Sequence, residues 1–258
     1  MPAGAGIACL IRRTLLAGLV GILLVAAPRG PAAAQADDDR AIAGDLAAML
    51  RAGRTVVSNN QARINDPELG DKGLDGKTVL AQALAIYKDA AGNDPLAAPA
   101  GSRRDRLQHA LMDAIVEVMD ANQSGINAKG VGFKGFIPAV FGRLTTEAFG
   151  RRAGGEAEMK ITAPVDFVRN RKSLPDLWES RVIKEKFLAT DWPKGQAYAE
   201  DTSAGGRQVF RMAVPEYYAA SCLSCHGSPK GSSDITGYPR EGGHVGDLGG
   251  VISMILAH

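Results

Sequence analysis

Cysteine and histidine are both scarce in this 258-residue chain, with three of the first and four of the second. Neither charge is in excess: 30 basic residues stand against 28 acidic ones. A near-neutral surface argues against nucleic acid as a partner, because such binding is driven by neutralising phosphates. Past residue 27 no apolar run is long enough to span a bilayer. No internal repeat, phosphate loop, paired-carboxylate site or Ser/His/Asp set stands out, so no catalytic constellation is expected. Aromatic residues make up 5% of the chain, which leaves little large apolar area for a core.

The first segment has the features of an export signal. Arg12 and Arg13 form a positive flank, and an apolar run from Leu15 to Ala27 follows. That run has the length of a signal core and is short for a membrane span. Ala34-Gln35-Ala36 is an A-x-A cleavage site, and Asp37-Asp38-Asp39 gives a polar mature start. Residues 1–36 are therefore predicted to leave on export to the periplasm, taking Cys9 with them and no membrane anchor behind. Loss of Arg12, Arg13 and Arg29 brings the mature chain to about one negative charge.

Two regions follow. Residues 37–152 read as helical. Asp38 to Asn65 carries Ile42, Leu46, Leu50, Val56 and Val57 at helical spacing and ends before Pro67. Thr78 is the expected cap of a helix with Leu80, Leu84 and Tyr87. Ser102 is the expected cap of a third, with Leu107, Leu111, Ala114 and Val118 on one face. Phe136 to Phe149 forms a fourth, opening at Pro138. Residues 153–258 change character. Met159–Val165, Tyr198–Thr202, Gln208–Val214 and Val251–Leu256 read as strands, and Pro175–Thr190 as a helix. Ser203-Ala204-Gly205-Gly206 supplies hairpin chemistry, and Gly227 to Gly246 reads as loop. The class is α+β with an antiparallel sheet, helices and sheet making one compact unit.

What stands out positively is Cys222-Leu223-Ser224-Cys225-His226, which uses every cysteine of the mature chain. Two thiols at this spacing can each add to one vinyl group of a porphyrin, with the next imidazole beneath the iron. Rival readings are a redox disulfide, which needs a βαβ context not seen before Cys222, and a zinc site, which needs further ligands. Export and His226 favour covalent haem c. A buried porphyrin would also supply the apolar area that the aromatics do not.

The distal iron ligand stays open among His109, His244 and Met212. His109 equally fits a surface helix position, and Met212 a core strand position. An open sixth position is a further alternative, and it would allow binding of a small gas. Arg169, Arg171, Lys172 and Arg240 are candidate propionate partners, the bland alternative being a solvated basic turn. Trp178-Glu179 reads as core packing beside a surface acid.

These residues fall within a wider pattern. It comprises Ser58-Asn59-Asn60-Gln61 with Ile64-Asn65-Asp66, Gly70-Asp71-Lys72-Gly73, and Gly135 to Phe141. It continues with Lys160-Ile161-Thr162, Arg169-Asn170, Pro175 to Glu179, Cys222 to Gly227, and Gly246-Asp247-Leu248. In this order the chain resembles a bacterial family of exported haem-c domains with a PAS-like fold, free-standing or serving as input modules of sensor kinases. The resemblance implies that Cys222 and Cys225 hold the haem, that His226 is the proximal ligand, and that a long helical lead-in precedes a PAS-like sheet. A cysteine that serves as distal ligand in a relative has no counterpart here, and Arg171 stands where proline is expected. With no membrane segment or kinase after Leu256, any signal is expected to pass to a separate redox or signalling protein. A sensor of redox state or of a small gas is therefore expected, ahead of a soluble electron carrier and a peroxidase-like enzyme.

Overall fold

The computed structural model describes residues 31–258. Arg12, Arg13 and the Leu15–Ala27 run lie outside the described residues; Ala34-Gln35-Ala36 falls on the first helix, α1 (Pro31–Asn59). Its buried stripe is Ile42, Leu46, Met49, Leu50, Val56 and Val57. The expected continuation to Asn65 is interrupted: α1 stops at Asn59, and a single turn, α2 (Gln61–Ile64), follows. Asn60 turns its side-chain amide onto the Val56 carbonyl there, a local bond that competes with the helix.

α3 (Gly76–Ala91) is capped by Asp75, not by Thr78. The Asp75 carboxylate accepts from the Thr78 amide, which places Thr78 in the first turn. Gly76 has no substitute: a Cβ there would lie 2.6 Å from the Val116 carbonyl of α4 (Arg103–Ala121). Ser102 caps α4 as expected, accepting from the Asp105 amide. After the turn α5 (Gln123–Ile126), α6 (Pro138–Arg152) opens with proline at its first position, where no amide is needed.

Three stretches of the family pattern meet at one junction. Gln61 donates to the Phe136 carbonyl, and Asn65 accepts from the Lys134 amide. Lys72, fully buried, points its ammonium at the carbonyls of Asp66 and Leu69. A buried ammonium must be hydrogen-bonded to be tolerated, and here carbonyls satisfy it. These segments are thereby joints between helices.

The second half is a four-stranded antiparallel sheet in the order β1-β4-β3-β2: β1 (Ala157–Thr162), β2 (Tyr198–Ala204), β3 (Arg207–Tyr217) and β4 (Leu248–Ala257). β1 ends at Thr162, short of the expected Val165, because Pro164 leads into a 3-10 turn, Val165–Phe167. β4 runs longer at both ends than Val251–Leu256. β2 and β3 are joined through Gly205 and Gly206, both with positive φ, as a two-residue type I′ hairpin requires.

Alternation on β3 and β4 divides the sheet. Phe210, Met212, Ile252, Met254 and Leu256 pack with the helices in one large core. Ala213 and Val251 pack on the other face with α7 (Leu177–Val182) and the π-helical turn Ile183–Phe187. The single helix expected over Pro175–Thr190 is thus in two parts, with Asp176 as its cap and Glu179 completing a capping box. Glu179 is buried at 2% exposure, not a surface acid. It pairs with Lys160 at 2.7 Å and lies beside Arg211, which stacks over Trp178.

Candidate functional site

After β3 the chain turns through Ala220–Cys222 into one helical turn, α8 (Leu223–His226). Cys222 and Cys225 carry free, half-buried thiols. No βαβ unit precedes them, since β3 pairs antiparallel with both neighbours. Among the described residues no three His, Cys, Asp or Glu side chains converge as a metal-holding group.

A helix this short leaves its carbonyls without helical partners, and its surroundings supply donors. The Gly227 amide bonds to the Leu223 carbonyl, Arg169 donates to the Cys225 carbonyl at 2.9 Å, and the Gly243 amide donates to the His226 carbonyl at 2.8 Å. Gly227 is required here: a Cβ would lie 2.5 Å from the Leu223 oxygen.

The imidazole of His226 is fixed in two ways. Its Nδ1 lies 2.8 Å from Glu241 Oε2, and its ring stacks on Tyr218 with centroids 5.0 Å apart and planes 20° apart. Tyr218 in turn is wedged between Gly243 and Gly249, where a Cβ would approach its ring to 2.6 and 2.3 Å. Its hydroxyl is buried with no hydrogen-bond partner. Burial, with the Glu241 charge adding, pushes the phenol up to about 12.

Arg169 is the hub. It makes a two-pronged contact with Glu241 at 3.0 and 3.1 Å and reaches Asp234 at 2.6 Å. Its guanidinium lies over the Tyr238 ring. Arg169, Arg171 and Lys172, near one another in sequence and all candidate propionate partners, are separated in the structure. Arg171 is exposed and opens a 3-10 turn capped by Asn170, which forms without the proline expected there. Lys172 pairs with Glu147 on α6. Arg240 donates to the Ser228 carbonyl and keeps its Nε buried without a partner.

Of the distal candidates, His109 lies on the exposed side of α4, bonded to Asp105. Met212 is buried in the core shared with the helices. His244 is exposed and bonded to Asp247, but it adjoins Gly243, whose amide holds the His226 carbonyl. Glu241 and Asp234 were missed by sequence reasoning.

Asp234 organises the loop after the motif. Burial pushes its carboxyl up, but the Thr236 hydroxyl, the Arg169 guanidinium and the amides of Thr236 and Tyr238 outweigh that and hold it well below the usual carboxylate range. A depressed native value means stability that is present above the unfolded value and lost as pH falls through the native one. Asp234→Asn should therefore cost stability at neutral pH, and its deficit against wild type should shrink below about pH 4. Urea midpoints across that range check this, and a constant deficit would contradict it.

Among the described residues no helix is long and apolar enough to cross a membrane. No curated protein and no solved structure matches the chain. A family model described as Tll0287-like matches residues 35–257, from within the Ala34-Gln35-Ala36 site to the end of β4. The match spans both the helical layer and the sheet with its Cys-x-x-Cys-His turn, and the chain belongs to the Tll0287-like family.

Proposed function

We propose that this is an exported protein with one covalent haem c, which registers redox state or a small gas ligand and passes that state to a redox or signalling partner. The observation that carries the reading is the α8 turn. With Cys222 just before it, the turn brings two free thiols and an imidazole, Cys222, Cys225 and His226, within five residues, with the imidazole Nδ1 engaged by Glu241. Cys222 and Cys225 would hold the group by thioethers and His226 would hold the iron. When bound, the haem supplies a redox-active iron that accepts a small ligand if its distal side is open.

The surroundings fit such a group. Tyr218 Oη and Arg240 Nε are buried donors without partners, and a propionate carboxylate is the acceptor they would suit. Ile235 and Val245 are largely exposed on the loop that closes over the motif, apolar surface that a porphyrin would cover. The helix-backed antiparallel sheet supports a PAS-like reading of the fold. The apolar segment Leu15–Ala27 and the start of the family match at residue 35 support export to the periplasm.

Expression in cells able to mature cytochromes should yield a coloured protein whose mass exceeds the mature polypeptide by one haem. Replacing Cys222 and Cys225 with serine should make the porphyrin extractable into acidified organic solvent. A colourless protein of bare polypeptide mass would end the reading. Spectra with and without carbon monoxide then divide the roles. High-spin iron that binds carbon monoxide supports gas sensing. Low-spin iron inert to it leaves electron transfer, with redox sensing in the same chemistry. Peroxide turnover lost on replacing His109 or His244 would favour an enzyme instead.

A further inference from the structure

We infer that Glu241 is a positioning residue for the His226 imidazole, and that the Asp234–Arg169–Glu241 cluster sets a low reduction potential at the iron. The inference rests on the haem reading above and deepens it at the same site.

The Glu241 side chain is 8% exposed and is held on two sides. Arg169 grips both of its oxygens, and the same Oε2 receives the His226 Nδ1–H at 2.8 Å. An imidazole ligand whose other nitrogen donates to a carboxylate is held in one tautomer, and its metal-bound nitrogen becomes more basic. A more basic iron-binding nitrogen would favour ferric over ferrous iron and so lower the potential. A neutral carbonyl acceptor would orient the ring equally well while withdrawing less proton density.

Charge counting points the same way. Asp234 and Glu241 bring two carboxylates to one guanidinium, and their side chains are 0% and 8% exposed. The cluster therefore keeps one net negative charge beside the imidazole, where water screens it poorly. Tyr218 adds a second restraint on the ring plane, from the face rather than the edge. With the edge held by Glu241, the face by Tyr218 and the backbone by Gly243, the ring has little rotational freedom.

The test uses three variants of the haem-loaded protein. Glu241→Gln keeps an acceptor oxygen and removes the charge. At fixed ambient potential its ferrous-to-ferric ratio should rise about tenfold, which is about 59 mV for one electron. Glu241→Leu removes acceptor and charge together, and should raise the ratio further and weaken the iron–histidine vibration in the ferrous spectrum. Glu241→Asp should recover part of both. Unchanged potentials in Glu241→Gln and Glu241→Leu would overturn the inference while leaving haem attachment intact. Should the protein carry no haem, the haem reading fails separately, and the positioning claim is read in that haem-free protein by nitrogen NMR. There the His226 ring should hold its proton at Nδ1, and lose that preference in Glu241→Leu. A ring with mixed tautomers in both forms would overturn the claim.

Discussion

Arg169→Ala should lower the unfolding free energy by about 3–5 kcal/mol, the cost of breaking a buried ion pair by deleting one partner. Two carboxylates depend on this guanidinium. Asp234 and Glu241 have side chains 0% and 8% exposed, and both lie within 3.1 Å of its nitrogens. Deleting it leaves both charges buried together and removes the donor to the Cys225 carbonyl. Arg169→Lys should recover only part of the loss, because a single ammonium cannot span the positions that the planar fork reaches. The pH dependence separates charge from packing. Without Arg169, the native Asp234 carboxyl loses one cause of its depression and the charged pair repels. The deficit is therefore fully present at neutral pH and narrows as pH falls and Asp234 takes up its proton. Urea unfolding of the two proteins at neutral and acid pH measures this. Equal midpoints at neutral pH would show that the cluster contributes nothing.

The contrast between Arg169 and its neighbours shows where sequence reading stops. Helical periodicity marked α1, α4 and α6 because their buried stripes recur at fixed spacing, and Ser102 was legible because capping is a local bond. The antiparallel sheet was legible in its strands and in the Gly205-Gly206 hairpin, but not in the insertion of β4 between β1 and β3. No local pattern encodes that crossover. The Cys-x-x-Cys-His motif occupies five consecutive residues, so the motif itself was legible, and the structure adds that it lies on a short helical turn. Its support was not. Glu241 follows His226 by 15 positions, across a glycine-rich stretch that reads as loop, and Arg169 comes from before α7. Three distant segments make that cluster, and each residue alone has the appearance of a solvated charge. A signal did exist at Asp234-Ile235-Thr236-Gly237, where an acid two residues before a hydroxyl and three before a glycine is turn chemistry. Glu179 was misjudged for a similar reason: its capping box was readable from Asp176, but its burial against Lys160 depends on strand pairing.

Whether helices and sheet unfold together is the question with the second large expected effect. Phe141 on α6 is fully buried, packs edge-on to Phe136 with centroids 6.2 Å apart, and sits close against Gly53 of α1, which Ile115 of α4 also approaches. Phe141→Ala should cost about 3–5 kcal/mol, the transfer of a large side chain plus the cavity left behind. Its core cluster does not end with the helices: it continues into Met159, Phe210, Met212, Ile252 and Met254 of the sheet. Trp178 and Trp192, the two tryptophans of the chain, lie in the cluster on the opposite face. Tryptophan fluorescence therefore reports the far side of the sheet, while far-UV circular dichroism is dominated by the helices. If one core joins the halves, Phe141→Ala moves both signals to the same lower urea midpoint, as a two-state unit requires. If the fluorescence midpoint stays at its wild-type value while the helical signal drops, the helices form a separate cooperative unit. In that case the hydrogen bonds from Arg51 and Arg54 of α1 to Glu216 of β3, at 2.8 Å, join two units without coupling their folding.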